Sequence, residues 1–300
     1  MAAITAAMVK ELRDKTDAGM MDCKKALTET NGDMEAAVEF LRKSGMAKAE
    51  KRADKATKEG KIYAAVDGNK AVMIEVLCET DFVAKNEKFY DYVKEAAARV
   101  LAGTSGEGDV TAKAQEIENE KLGELFVKFG EKMVLRRALR FEAPAVATYM
   151  HGEGRIGIMI EAEGSDDAAL LKDVCMHIAA FSPEYIVPED IPADVINKEK
   201  EIAAAQLQGK PANMIEKILG GKLNKWYSEV CLMRQPWIHD DKTCLAKLAP
   251  KLVVKKFVRW TSASLTGSHH SLLQFSPGHS TAMWLNQLSF LAPCQCRGPH

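Results

Sequence analysis

A chain of 300 residues with 41 Lys and Arg against 42 Asp and Glu has a formal charge of -1, which excludes a protein that holds nucleic acid by bulk phosphate neutralisation. Its 47% apolar content is enough for ordinary cores in one large or two to three small domains, and no apolar run approaches the length of a membrane span. The seven cysteines (Cys23, Cys78, Cys175, Cys231, Cys244, Cys294, Cys296) form no C-x-x-C pair and read as reduced thiols; with no basic leader or apolar core in MAAITAAMVKELRDK, a cytoplasmic protein is expected.

Residues 4 to 45 predict three short helices. Thr5 is placed to cap the first, whose Met8 and Leu12 share a face before Thr16-Asp17-Ala18-Gly19 breaks it. The second carries Met21 to Leu27 toward Asn31-Gly32, where Gly32 suits a left-handed terminus. Asp33 then caps a third, with Met34, Val38 and Leu41 on one stripe and Ser44-Gly45 as its stop. A unit of residues 1–47 has a minimal core, so it is expected as a small module tethered to something larger. The tether, residues 48–60 within KAEKRADKATKEGK, is mostly basic but interrupted by Glu50, Asp54 and Glu59, the pattern of a solvated segment.

From residue 61 the pattern changes to strands. KIYAAVDGNKAVMIEVLCET reads as a β-hairpin around Asp67-Gly68-Asn69, and AVATYMHGEGRIGIMIEAEGS repeats that design around His151-Gly152. Met73-Ile74-Glu75 in the first copy matches Met159-Ile160-Glu161 in the second. Each copy then enters a helix, through Phe89, Val93, Ala97 and Val100 or through Leu170, Leu171, Val174, Ile178 and Ala179. Residues 111 to 129 between them predict a helix and 131 to 142 a strand. The expected fold class is α+β, with a core duplicated as residues 61–142 and 143–260.

At the tip of the first hairpin, CETDFVAKNEKF sets an aromatic ring where a polar cap is enough: the second copy has Gly164-Ser165-Asp166-Asp167-Ala168 at the same place and no ring. The fold therefore does not require Phe82. Its plain structural role would be a staple onto its own helix, as that of Asp81 would be a helix cap.

Residues 190–226 predict two helical runs flanking Gly209-Lys210-Pro211, an antiparallel helical hairpin that serves as scaffold or as an arm for self-association or partner contact. The G-x-G-x-x-G match at Gly152 to Gly157 opens into a strand rather than a helix, so its glycines read as turn chemistry and no cofactor is expected. No Walker loop, G-x-S-x-G elbow or H-E-x-x-H pair is present, and His177 reads as a core or helix-surface residue. A binding protein is favoured over an enzyme.

Two stretches, LRDKTDAGMMDCKKAL (residues 12–27) and EVLCETDFVAKN (residues 75–86), resemble the two signature segments of the bacterial elongation factor Ts family, and the resemblance runs to about residue 260 through NKWYSEVCLMRQPWI. It implies a guanine nucleotide exchange factor for elongation factor Tu, with a ubiquitin-associated-like (UBA-like) three-helix module, a duplicated core and a coiled-coil hairpin. It implies that the factor binds its partner GDP-bound and nucleotide-free, and that Asp81 and Phe82 act on the partner's Mg²⁺ and phosphate site. No metal or cofactor of its own is implied. Carried over by position, the partner contacts are Met20, Met21 and Lys24; Thr80, Asp81 and Phe82; Phe129 and Gly130, where Phe129 replaces a smaller aliphatic residue; His151 and Gly152; and Ile238. A homodimer through the second core half or the helical hairpin is a further expectation, and direct nucleic-acid binding is not expected. The competing reading is a non-catalytic UBA-type module that binds protein or RNA.

After Trp260 the resemblance stops. Residues 261–300 hold no Asp, Glu or Lys and only Arg297, where the chain's 28% charged average predicts about eleven charged residues. That composition predicts a tail that is disordered or frame-altered.

Overall fold

The computed structural model of the chain describes residues 4–51, 55–207, 212–262 and 272–275. It begins with three helices, α1 (Ala6–Thr16), α2 (Met20–Glu29) and α3 (Met34–Lys51). The Thr5 hydroxyl accepts the Met8 N–H to cap α1, which ends at Asp17 with a left-handed backbone (φ 53°). Gly32 takes φ 85° and Asp33 accepts the Ala36 N–H, as the sequence predicts. Leu12, Cys23, Leu27 and Leu41 close a small core.

The predicted stop at Ser44-Gly45 does not occur, because α3 continues to Lys51. A glycine inside a helix costs about 1 kcal/mol, too little to end one that gains packing. Here the gain is close approach: a Cβ at Gly45 would lie 2.9 Å from the carbonyl oxygen of Gly123 and would overlap Val127. Gly45 is one of the points where the three-helix unit meets the rest of the molecule.

The hairpin of β1 (Glu59–Asp67) and β2 (Lys70–Cys78) pairs Asp67 with Lys70 across Gly68 (φ 58°). There follow α4 (Asp81–Ala84), α5 (Glu87–Gly103), β3 (Gly108–Asp109), α6 (Thr111–Phe129) and β4 (Val134–Glu142). The second hairpin, β5 (Ala145–His151) with β6 (Ile156–Glu163), leads to α7 (Ala168–Phe181), α8 (Ala193–Ala205) and α9 (Ala212–Val230). The chain continues through the small pair β7 (Pro236–Trp237) and β8 (Asp240–Cys244), then α10 (Leu245–Leu248) and β9 (Val253–Thr261), beside which β10 (Leu272–Phe275) pairs. The strand orders β1-β2-β4-β3 and β5-β6-β9-β10 make two antiparallel sheets, so the fold is α+β.

Near-continuous apolar strands such as Ala71–Cys78 arise because each sheet is covered on both faces. Val72, Ile74 and Val76 face α5 and α6, while Ile158, Ile160 and Ala162 face α7. Met73 and Met159 point the other way, into a core between the two sheets with Ile62, Phe141, Val258 and Trp260. The Met-Ile-Glu repeat is thus the same device used twice: Met joins the sheets and Ile joins the helix. Glu75 meets Arg137 (2.6 Å) and Arg136 (3.2 Å), and Glu161 meets Lys256 (2.9 Å). In both copies the ladder slips immediately after that glutamate.

Helices α8 and α9 pack against each other; Gly209-Lys210-Pro211 between them, like the tail at 263–271 and 276–300, lies outside the described residues. Among the described residues no helix is long and apolar enough to cross a membrane. His177 is a core residue, stacked between Phe181 (4.6 Å) and Trp237 (5.2 Å), with Nε2 3.0 Å from Gln235 Oε1. Burial lowers its pKa from the ordinary value, outweighing the Gln235 hydrogen bond. The unfolded chain therefore takes up a proton first as pH falls below about 6.5, and the folded state loses stability through that window. Thermal melts are expected to fall more steeply between pH 7.5 and 5.5 for the wild type than for His177→Gln, which has no imidazole to charge.

Candidate partner-binding site

Strand β2 is buried along almost its whole length and delivers the chain to Glu79 and Thr80 at the rim of the first sheet. There α4 forms a single turn. Its cap is Thr80, whose hydroxyl accepts the Val83 N–H (3.5 Å), so Asp81 is the first helical residue and not the cap. Val83 and Ala84 turn into the core with Phe89 and Val93. Phe82 is left on the outer side of the turn, 83% exposed, and does not staple its own helix. The Lys85 ammonium, 2.6 Å from the Asp81 carboxylate, holds that carboxyl below its usual range.

The turn is fixed from below. Glu131 accepts both the Thr80 N–H (3.0 Å) and its hydroxyl proton (2.5 Å), and Glu79 accepts the Lys132 N–H (2.8 Å). Charge-assisted bonds of this kind are among the stronger hydrogen bonds. They sew the Phe82 turn to the loop after α6, where Gly130 ends the helix at φ 71° and donates its N–H to Phe126. Phe129 is half-buried against the first core and Gly130 is exposed. Nothing in the sequence marks Glu131, since its partners are 51 residues away and only the fold brings them together.

From the three-helix unit, Met20 and Met21 are 58% and 77% exposed on the first turn of α2, with Lys24 exposed one turn on from Met20. The Asp17 carboxylate, just before that turn, lies 3.0 Å from Lys88 and 2.9 Å from Lys128. A cleft of about 410 Å³ between α3 and α6 is lined by Asp22, Gly45, Lys48, Phe126 and Gly130. From the second hairpin, His151 is exposed with Nδ1 3.2 Å from the Tyr149 hydroxyl, and Gly152 takes φ 59°. The hairpin turn is tied to β1: the Ile62 N–H donates to the Gly154 carbonyl (2.8 Å) and Lys61 Nζ donates to that of Glu153 (2.7 Å). A cavity of about 200 Å³, lined by Lys61, Asp81, Lys85 and Arg155, joins this turn to α4.

Met20, Met21, Thr80, Asp81, Phe82, Phe129, Gly130 and the His151-Gly152 turn are therefore linked around one rim of the first sheet. Ile238 is placed differently, half-buried against the second core with Trp237 and Leu171. Burial pushes the neighbouring Cys78 thiol up to about 12, away from nucleophilic use. What the rim offers is an exposed ring on a rigid mount.

The model of one family, described as Elongation factor TS, matches residues 79–263, more than half of the chain. The chain belongs to the elongation factor Ts family. Elongation factor Ts proteins are nucleotide exchange factors for elongation factor Tu in translation elongation, without bond-making chemistry of their own. The elongation factor Ts match opens at Glu79, takes in the Phe82 turn, the end of α6, the second hairpin and Ile238, and closes two residues after β9. It leaves out α1 to α3 and the first hairpin.

Proposed function

We propose that the rim around Phe82 binds elongation factor Tu and promotes GDP release by disturbing the partner's Mg²⁺ and phosphate site. One observation carries the reading: an 83% exposed phenyl ring stands on a turn whose Val83 and Ala84 are buried and whose cap, Thr80, is hydrogen-bonded to Glu131. An aromatic side chain kept in water at no benefit to its own fold is suited to anchor a partner. GDP is held in such GTPases by a phosphate-cradling loop and a Mg²⁺ that bridges phosphate to protein, so displacing the elements that position the metal loosens the nucleotide. Asp81 sets a carboxylate, paired with Lys85, beside the ring. Coupling is reciprocal, so a factor that weakens GDP binding is itself expelled when nucleotide returns.

The proposed contacts are Met20, Met21 and Lys24, Thr80 to Phe82, Phe129 and Gly130, and His151 and Gly152, with Ile238 as a contact from the second half. In this reading residues 1–47 are a UBA-like module, 48–60 a linker, 61–142 and 143–260 the two core halves, and α8 with α9 a coiled-coil arm open to self-association. The factor works in the cytoplasm on GDP-bound and nucleotide-free partner, with no cofactor of its own. The deciding measurement is release of a fluorescent GDP analogue from purified elongation factor Tu. Micromolar chain is expected to accelerate it; release at the spontaneous rate would end the proposal.

A further inference from the structure

Asp17 enters the sequence as part of a helix break, but the fold gives it a second place. Its φ of 53° is left-handed, a conformation that strains most side chains and that Asp and Asn tolerate best after glycine. From there one carboxylate oxygen reaches two lysines on different core helices, Lys88 at 3.0 Å and Lys128 at 2.9 Å. Lys88 lies in the first turn of α5, directly after the Phe82 turn, and Lys128 immediately precedes Phe129 and Gly130. Two residues beyond Asp17, Gly19 opens α2 and presents Met20 and Met21. A single side chain thus touches or adjoins three of the segments that make up the rim.

The three-helix unit has other ties to the core, among them Gly45 on Gly123, Arg42 with Glu120 (3.2 Å) and Val127 against the small core. Except at Val127 they run through α3 and hold the unit along α6. Within the unit the start of α2 is tied to α3 by Asp22 with Lys48 (2.8 Å), and of the ties named only those of Asp17 reach α5, directly after the Phe82 turn. Hydrogen bonds from Lys128 and then Lys88 hold the Asp17 carboxyl below its usual range, so it stays charged at any working pH.

We infer that Asp17 is a positioning residue, an electrostatic latch that sets the Met20–Met21 end of the three-helix unit in line with Phe82 so that both engage one partner surface at once. The inference rests on the proposed exchange function. Two contact sites held at a fixed spacing bind with a high effective concentration, and loosening one lowers affinity without altering the chemistry at the other. Because the Lys88 pair is solvent-exposed and the Lys128 pair partly so, the latch is also salt-sensitive: the screening length shrinks from about 10 Å at 0.1 M to about 3 Å at 1 M.

The test compares wild type, Asp17→Asn, Met21→Ala and the double variant, since Asn keeps the backbone conformation and removes only the charge. At low salt Asp17→Asn is expected to raise the concentration of factor giving half-maximal GDP release by about three- to tenfold, as two ion pairs of this exposure allow. The saturating rate stays the same. The difference closes at about 1 M salt, and in the Met21→Ala background Asp17→Asn adds little. A merely structural Asp17 would instead lower the melting temperature and act in both salts. A second arm needs no partner: hydrogen–deuterium exchange of the full chain is expected to show faster exchange at residues 18–27 in Asp17→Asn and in wild type at high salt, with α5 unchanged. Equal exchange there, or an undiminished Asp17→Asn effect in the Met21→Ala background, would overturn the latch. If the chain fails to release GDP while the exchange arm responds, the latch stands and the proposed function falls.

Discussion

Phe82→Ala is expected to abolish most of the acceleration of GDP release, by about 30-fold or more at subsaturating factor, the loss associated with a 2 kcal/mol interface anchor. The fold should not notice. A side chain 83% exposed contributes little to its own domain, and substitutions at such positions shift stability by about 0.5 kcal/mol or less. Matched melting curves alongside a collapsed exchange rate would separate a working contact from a damaged protein. Phe82→Leu keeps much of the apolar bulk without the ring and should fall between the two. Wild-type exchange by Phe82→Ala would refute the role of the ring, whatever the family assignment.

That prediction was open to sequence reasoning because duplication supplied a control. The second copy carries a polar cap and no ring at the matching turn, so Phe82 stood out as a residue the fold could spare. Local chemistry was legible for the same reason: Thr5, Gly32 and Asp33 act through neighbours within five residues, and the structure places each where hydrogen-bond accounting puts it. Reasoning failed where the deciding contact was remote. Gly45 looked like a helix stop because glycine punctuates helices, and only the backbone of Gly123 across a helix crossing reveals its use. Asp81 looked like a cap, but Thr80 takes that role with Glu131 holding it from another loop. Asp17 read as a breaker, since no local pattern announces lysines 71 and 111 positions later. Periodicity and turn chemistry report on what a residue does for its own segment, and the assembly of this rim depends on what residues do for other segments.

Gly154 provides the sharpest case of a residue whose local and remote roles diverge. It sits at φ 82°, and a Cβ there would lie 2.5 Å from the carbonyl oxygen of Ile62 and 3.1 Å from the ring of Tyr90. Gly154→Val combines a backbone that β-branched residues rarely adopt with a collision against backbone that cannot move aside, and it breaks the point where the second hairpin is bonded to β1. A loss of roughly 3–5 kcal/mol is expected, seen as a lower urea midpoint with an unchanged slope. Gly152→Val, two residues away, separates the causes: its φ of 59° is also left-handed, but the nearest atom to its Cβ is Arg155 Cβ at 3.6 Å. It should cost about 1–2 kcal/mol, from backbone strain alone. The same pair judges the G-x-G-x-x-G match. Were the loop a phosphate cradle, both substitutions would also remove nucleotide affinity from the chain. If the glycines serve hairpin contact instead, the two variants differ in stability by the price of one close approach, and neither changes a nucleotide titration of the free factor.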